Sequence, residues 1–169
     1  MNRLGLGPLL TEIEQMLQSH IALLAEEKQA NGAAELREQL DGLFKDVRTA
    51  AKVGDIDWVR CKKINGTQVC LGVEIQVSGR SEMLYKDVLH LRRRIECGDI
   101  DLGVIVVPSD RLQRFLPDRT PSSSYAEKVI REQDADRLPI VMIEIEHDGR
   151  GPALTKRTTN TSRRGKILR

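Results

Sequence analysis

The sequence predicts an α/β protein: a mixed β-sheet core that includes an antiparallel hairpin, flanked by helices on both faces. Three observations predict it. Asn65–Gly66 stands between two strand-like runs, the strongest short-range hairpin signal. "DLGVIVVPS", Asp101 to Ser109, is a near-continuous apolar run, the pattern of a strand covered on both sides. Helix-period segments separate the later strands, so those strands need crossovers and at least partly parallel pairing.

The elements follow in order. Leu9, Leu10, Ile13, Met16, Leu17, Ile21 and Leu24 recur at helical spacing, and Thr11 with Glu14 fits a capping box just before that helix. "QANG", Gln29 to Gly32, breaks it. A second helix carries Leu36, Leu40, Leu43, Phe44 and Val47 on one face. The hairpin follows, then a short loop from Ser78 to Arg80 and a helix over Met83 to Ile95. After the apolar strand and the loop "PDRTPSSS" comes a helix near Tyr125 to Glu132, then a strand in "LPIVMIEIEHDG", Leu138 to Gly149. The 169 residues suit one domain over 1–150, with N-terminal helices in 9–52 and a core in 54–149, followed by a tail over 151–169. "GDID" occurs at Gly54 and at Gly98 with unlike flanks, so it marks no repeat.

Composition narrows the function classes. No apolar run approaches the roughly 18–20 residues of a membrane span, and no signal sequence opens the chain, so a cytoplasmic protein is expected. One Trp, two Tyr and two Phe leave little for stacking single-stranded bases. Cys61, Cys70 and Cys97 have neither disulfide-scaffold nor zinc-site spacing. His20, His90 and His147 lack partners at metal-ligand spacing and suit packing or surface roles. No G-x-S-x-G elbow, Walker or dinucleotide fingerprint is present. The whole chain holds 27 basic and 25 acidic residues; six of the basic ones fall in Thr155 to Arg169, which has no acid, so the body is about four charges negative. Lys156 and Arg157 open this tail, which suits either a nucleic-acid arm or a solubilising terminus.

The hairpin concentrates the chemistry. A two-residue turn at Asn65–Gly66 sets Trp58 opposite Val73 and Ile56 opposite Ile75, placing Ile56, Trp58, Leu71, Val73 and Ile75 on a core face. The other face then carries Asp57 opposite Glu74 and Asp55 opposite Gln76, with Cys61 opposite Cys70. Opposed like charges lie about 4.5–5.5 Å apart at Cβ and destabilise a sheet. A divalent cation on oxygen ligands would offset this, and so would exposure to water. Buried in a strand as apolar as "CLGVEIQV", the acids require a partner. Cys61 and Cys70 could form a cross-strand disulfide, but in a cytoplasmic protein two buried thiols are expected.

An acid at the head of a hairpin followed by Glu-x-Gln resembles the PD-(D/E)xK nuclease superfamily, in the branch of BglII-like type II restriction endonucleases. That branch has Gln where lysine usually stands. "VEIQVSGRSEMLYKDVLHLRRRIECGDIDLGVIVVPSD" also follows its order of strand, loop, helix and apolar strand. The resemblance spans Gly54 to about Gly149. It implies a restriction-endonuclease-like fold and Mg²⁺-dependent hydrolysis of phosphodiesters in double-stranded DNA. Asp57, Glu74 and the Ile75 carbonyl would hold the metal, and Gln76 would orient the attacking water. Asp55 is the alternative to Asp57, and a helix acid, Glu38 or Asp41, would approach the site. Gln76 cannot accept a proton as a base does, so the water must lose its proton elsewhere. Arg80 and Lys86 would contact DNA phosphates, whereas Arg92 to Arg94 suit a solvated helix face. The resemblance further implies a homodimer and a partner DNA methyltransferase. Ile56 stands where the superfamily has Pro, and the chain is short for base-reading loops. A structure-selective repair or junction nuclease, and a non-catalytic DNA-binding or assembly protein keeping the fold, are the alternatives.

Overall fold

A computed structural model describes residues 6–18, 23–44, 56–78 and 80–156. The elements are α1 (Leu6–Gln18), α2 (Ala33–Leu43), β1 (Trp58–Ile64), β2 (Thr67–Ile75), α3 (Glu82–Glu96), β3 (Leu102–Pro108), α4 (Asp110–Gln113), α5 (Ser123–Glu132), a 3₁₀ turn at Ala135–Arg137 and β4 (Ile140–Ile145). The sheet has four strands in the order β1-β2-β3-β4. β1 and β2 are antiparallel, and β2-β3 and β3-β4 are parallel. This is the mixed α/β sheet expected.

Asn65 and Gly66 both take positive φ, 50° and 85°, as a type I′ turn requires. The register follows from that turn: Trp58 pairs with Val73, Cys61 with Cys70 and Ile64 with Thr67. The facing cysteines form a disulfide, Cys61–Cys70. Two thiols were expected here; direct opposition in a hairpin brings the sulfurs within bonding reach instead. Cys97 is free and exposed.

The sheet is covered twice. Leu71, Val73, Ile75, Val104 and Val106 pack against Leu9, Ile13 and Leu17 of α1 and Leu36 and Leu40 of α2. On the opposite face Ile105 and Val107 meet Leu84, Val88 and Leu91 of α3 and Ala126 and Val129 of α5. All seven residues of β3 are therefore buried. Ile56 breaks the expected alternation: it packs with the α3 side rather than with Ile75. The described pairing of β1 begins only at Trp58, so the chain before it is not bound to strand periodicity.

Other boundaries shift for local reasons. α1 already includes Leu6, with Thr11 and Glu14 inside it, so the predicted capping box does not start it. Pro8 lies in its first turn, where proline costs no helical hydrogen bond. Leu24, expected in that helix, instead forms a parallel bridge with Arg150. α4 was not expected; the Ser109 hydroxyl caps it by accepting from Leu112 N–H at 2.9 Å.

The chain after 150 stays on the body as far as it is described. Leu154 is buried, its N–H donates to Asn31 Oδ1 at 3.1 Å, and its carbonyl accepts from Gly32 N–H at 3.0 Å. The basic segment predicted over 151–169 thus begins as a packed strap, and Arg157 and the residues after it lie outside the described residues.

Candidate functional site

Side-chain alternation along β2 sends Gly72, Glu74 and Gln76 to the α3 side. Gly72 pairs with Gly103 of β3. A Cβ at Gly103 would meet Leu91 Cβ of α3 at 3.3 Å, whereas one at Gly72 would meet Ile100 Cδ1 at 2.8 Å and Ile56 Cδ1 at 3.1 Å before Leu91 Cδ2 at 3.4 Å. The missing side chain at Gly72 makes room for the two isoleucines, and the one at Gly103 lets the helix settle close to β3. Asp87 and His90, one turn before Leu91 or adjacent to it, are thereby carried onto the sheet face that holds Glu74.

Glu74 is 3 % exposed, and its Oε1 makes no hydrogen bond among the described residues. Its Oε2 accepts from Asp57 N–H at 3.3 Å, and His90 Nδ1 stands 3.5 Å from Oε1. Burial, then the charge of Asp57, pushes the Glu74 carboxyl up to about 10. Burial and the same neighbour push Asp87 up to about 7. Glu74, Asp87 and His90 offer ligand atoms that all lie within 4.8 Å of one another.

Asp57 sits beside Glu74, as the register required, and its carboxylate also has partners of its own. Oδ2 accepts from Ile75 N–H at 2.9 Å, and Oδ1 is 3.0 Å from Arg37 Nη2. Arg37 also donates through Nη1 to the Ile75 carbonyl and through Nε to Asp41 Oδ1 at 3.0 Å. Asp41 accepts from Trp58 Nε1 at 3.2 Å, and Trp58 stacks on Phe44. Two of the three groups expected to hold Mg²⁺, Asp57 and the Ile75 carbonyl, are thus engaged by one guanidinium. A cation there would share both groups with Arg37, using the lone pairs that the guanidinium leaves.

Gln76 is buried, and its Oε1 accepts from the Ser78 hydroxyl at 2.8 Å and from Ser78 N–H at 3.3 Å. Arg37, Asp57, Ile75, Gln76, Ser78, Met83 and Asp87 line a cavity of about 190 Å³. A second cavity, about 210 Å³, adjoins His90 and is lined by Arg93, Arg94 and Cys97. Arg80, Lys86 and Lys156 are exposed. Glu38 is exposed on α2 and Asp41 is held by Arg37 and Trp58, so neither joins Glu74. Asp55 lies outside the described residues.

No protein-family model matches the chain, and no curated relative matches it. The site is therefore described by its own geometry. Sequence reasoning brought Asp57, Glu74 and Gln76 together but missed Arg37 and Asp87, and it read His90 as packing. A signal existed for two of these: Asp87 and His90 border the Leu84–Val88–Leu91 stripe that α3 must bury.

Proposed function

We propose that the protein is a divalent-metal-dependent endonuclease that hydrolyses phosphodiester bonds of double-stranded DNA, in the manner of a type II restriction enzyme. One observation carries the reading: Glu74 is buried with an oxygen left without a hydrogen bond among the described residues, and its neighbours Asp57, Ile75 and Gln76 line a cavity. A buried carboxylate in that state is costly unless a cation joins it. A bound metal would supply Lewis-acid activation of water and stabilise charge on the phosphate.

The chain's own residues divide the remaining work. Glu74 is the anchor for the ion. Ser78 fixes the Gln76 amide oxygen, which leaves Nε2 as the donor that orients water or a phosphate oxygen. Arg37 places a guanidinium at the cavity wall, suited to a phosphate. Arg80, Lys86 and Lys156, exposed on the surface, would neutralise backbone phosphates of the duplex. Homodimerisation, two sites for two strands, and a partner methyltransferase complete the restriction reading.

A second reading has its own observation. Arg37 engages both Asp57 and the Ile75 carbonyl, as expected of a DNA-binding protein that keeps the fold without turnover. Mapping the ends produced from a plasmid and from a four-way junction separates these readings. Discrete, sequence-defined ends support restriction, junction-only cuts support a repair nuclease, and binding without cuts supports the non-catalytic protein.

A further inference from the structure

We propose that Glu74, Asp87 and His90 form a metal site of mixed oxygen and nitrogen donors, which takes a first-row transition ion such as Mn²⁺, Co²⁺ or Zn²⁺ in preference to Mg²⁺. The ion lies between β2 and α3, beside the cavity that Asp87 lines together with Arg37 and Asp57. The site differs from the Asp57–Glu74–Ile75 set in two of its three ligands. It deepens the metal-dependent reading, and metal uptake is measurable apart from cleavage.

Three observations carry it. The first is spacing. Ligands at about 2.1 Å from a tetrahedral ion stand about 3.4 Å apart, and Glu74 Oε1 and His90 Nδ1 are 3.5 Å apart. Asp87 completes a group whose ligand atoms all lie within 4.8 Å of one another. The second is the state of Glu74: its side chain is 3 % exposed, and Oε1, the atom facing His90, has no hydrogen bond among the described residues. That oxygen points into the cluster with its acceptor capacity unused. The third is Gly103, whose missing side chain seats Leu91 of α3 close to the sheet and so brings Asp87 and His90 of that helix toward Glu74.

Donor chemistry selects the ion. Mg²⁺ is a hard cation that demands near-octahedral oxygen ligands. An imidazole with two carboxylates suits the later first-row ions. Arg37 pairs with Asp57, which leaves Glu74 and Asp87 as the two carboxylates for the ion to neutralise. Three protein ligands leave the remaining positions open toward the cavity that Asp87 lines.

The test is a Co²⁺ titration of the full chain, followed by visible absorption and calorimetry. One Co²⁺ per chain is expected, displaced by stoichiometric Zn²⁺ and retained in about hundredfold excess Mg²⁺. His90→Gln and Asp87→Asn should each weaken binding by about 10–100-fold or more while circular dichroism is unchanged. Should either variant fail to fold, pulsed electron paramagnetic resonance on the Mn²⁺-loaded native chain gives the answer, through coupling to an imidazole nitrogen. No saturable Co²⁺ uptake, equal displacement by Mg²⁺, wild-type affinity in folded His90→Gln, or no nitrogen coupling overturns the site. Cleavage is scored separately. Metal uptake without cleavage counts for the site and against the nuclease; cleavage in Mg²⁺ without Co²⁺ uptake counts the other way.

Discussion

Replacing Glu74 by Gln should stabilise the metal-free protein at neutral pH and lose that advantage in acid. Burial and Asp57 push the Glu74 carboxyl up to about 10, against an ordinary 4.5. Below pH 4.5 the folded and unfolded chains both carry the proton, and the fold keeps its full stability. Above it the unfolded chain releases the proton while the folded one retains it, so stability falls as pH rises, until the folded group also titrates. At about 1.36 kcal/mol per pH unit, the interval from 4.5 to pH 7 amounts to about 3 kcal/mol. Gln needs no proton and keeps an oxygen to accept from Asp57 N–H. Urea denaturation of both chains in chelator, at pH 4, 5.5 and 7, measures the difference. The gain should approach 3 kcal/mol at pH 7, or roughly 6–12 °C in melting temperature, and vanish near pH 4. A destabilised Glu74→Gln chain, or a difference that does not change with pH, refutes the burial argument.

Three further outcomes follow from the geometry. Under non-reducing denaturation only Cys97 should react with iodoacetamide, and reducing Cys61–Cys70 should cost up to about 3 kcal/mol by loop entropy; mass shift and urea melts check both. Gly32→Ala should lose about 1–3 kcal/mol and speed proteolysis after Arg150, because the new Cβ would fall 1.9 Å from the Thr155 carbonyl oxygen; protease digestion shows whether the strap loosens. Arg37→Ala should destabilise by about 1–3 kcal/mol at pH 7, since it strips donors from Asp41, Asp57 and the Ile75 carbonyl; an unchanged urea midpoint would contradict that network.

Much of the sheet was legible because its signals are local. Asn65–Gly66 sets the turn, and the turn sets every pair of the hairpin. The unbroken apolar run of β3 announces a strand covered on both sides. What was hidden depends on contacts distant in sequence. Leu24 has helical spacing, yet its backbone pairs with Arg150. Arg37 looks like an ordinary helix cation until α2 is laid beside Ile75 and Asp57. His90 acquires meaning only when α3, packed on Gly103 through Leu91, is laid on the sheet. The same logic covers Asp57: register put it beside Glu74, but its pairing with Arg37 depends on a helix distant in sequence.

The most direct test of the account is cleavage of supercoiled plasmid by the native chain and by Glu74→Gln, in Mg²⁺, Mn²⁺ and chelator. The account predicts nicked and linear products from the native chain with a divalent ion, none in chelator, and none from Glu74→Gln although it folds. Equal cleavage by Glu74→Gln, or an inert native chain in every metal, would contradict it.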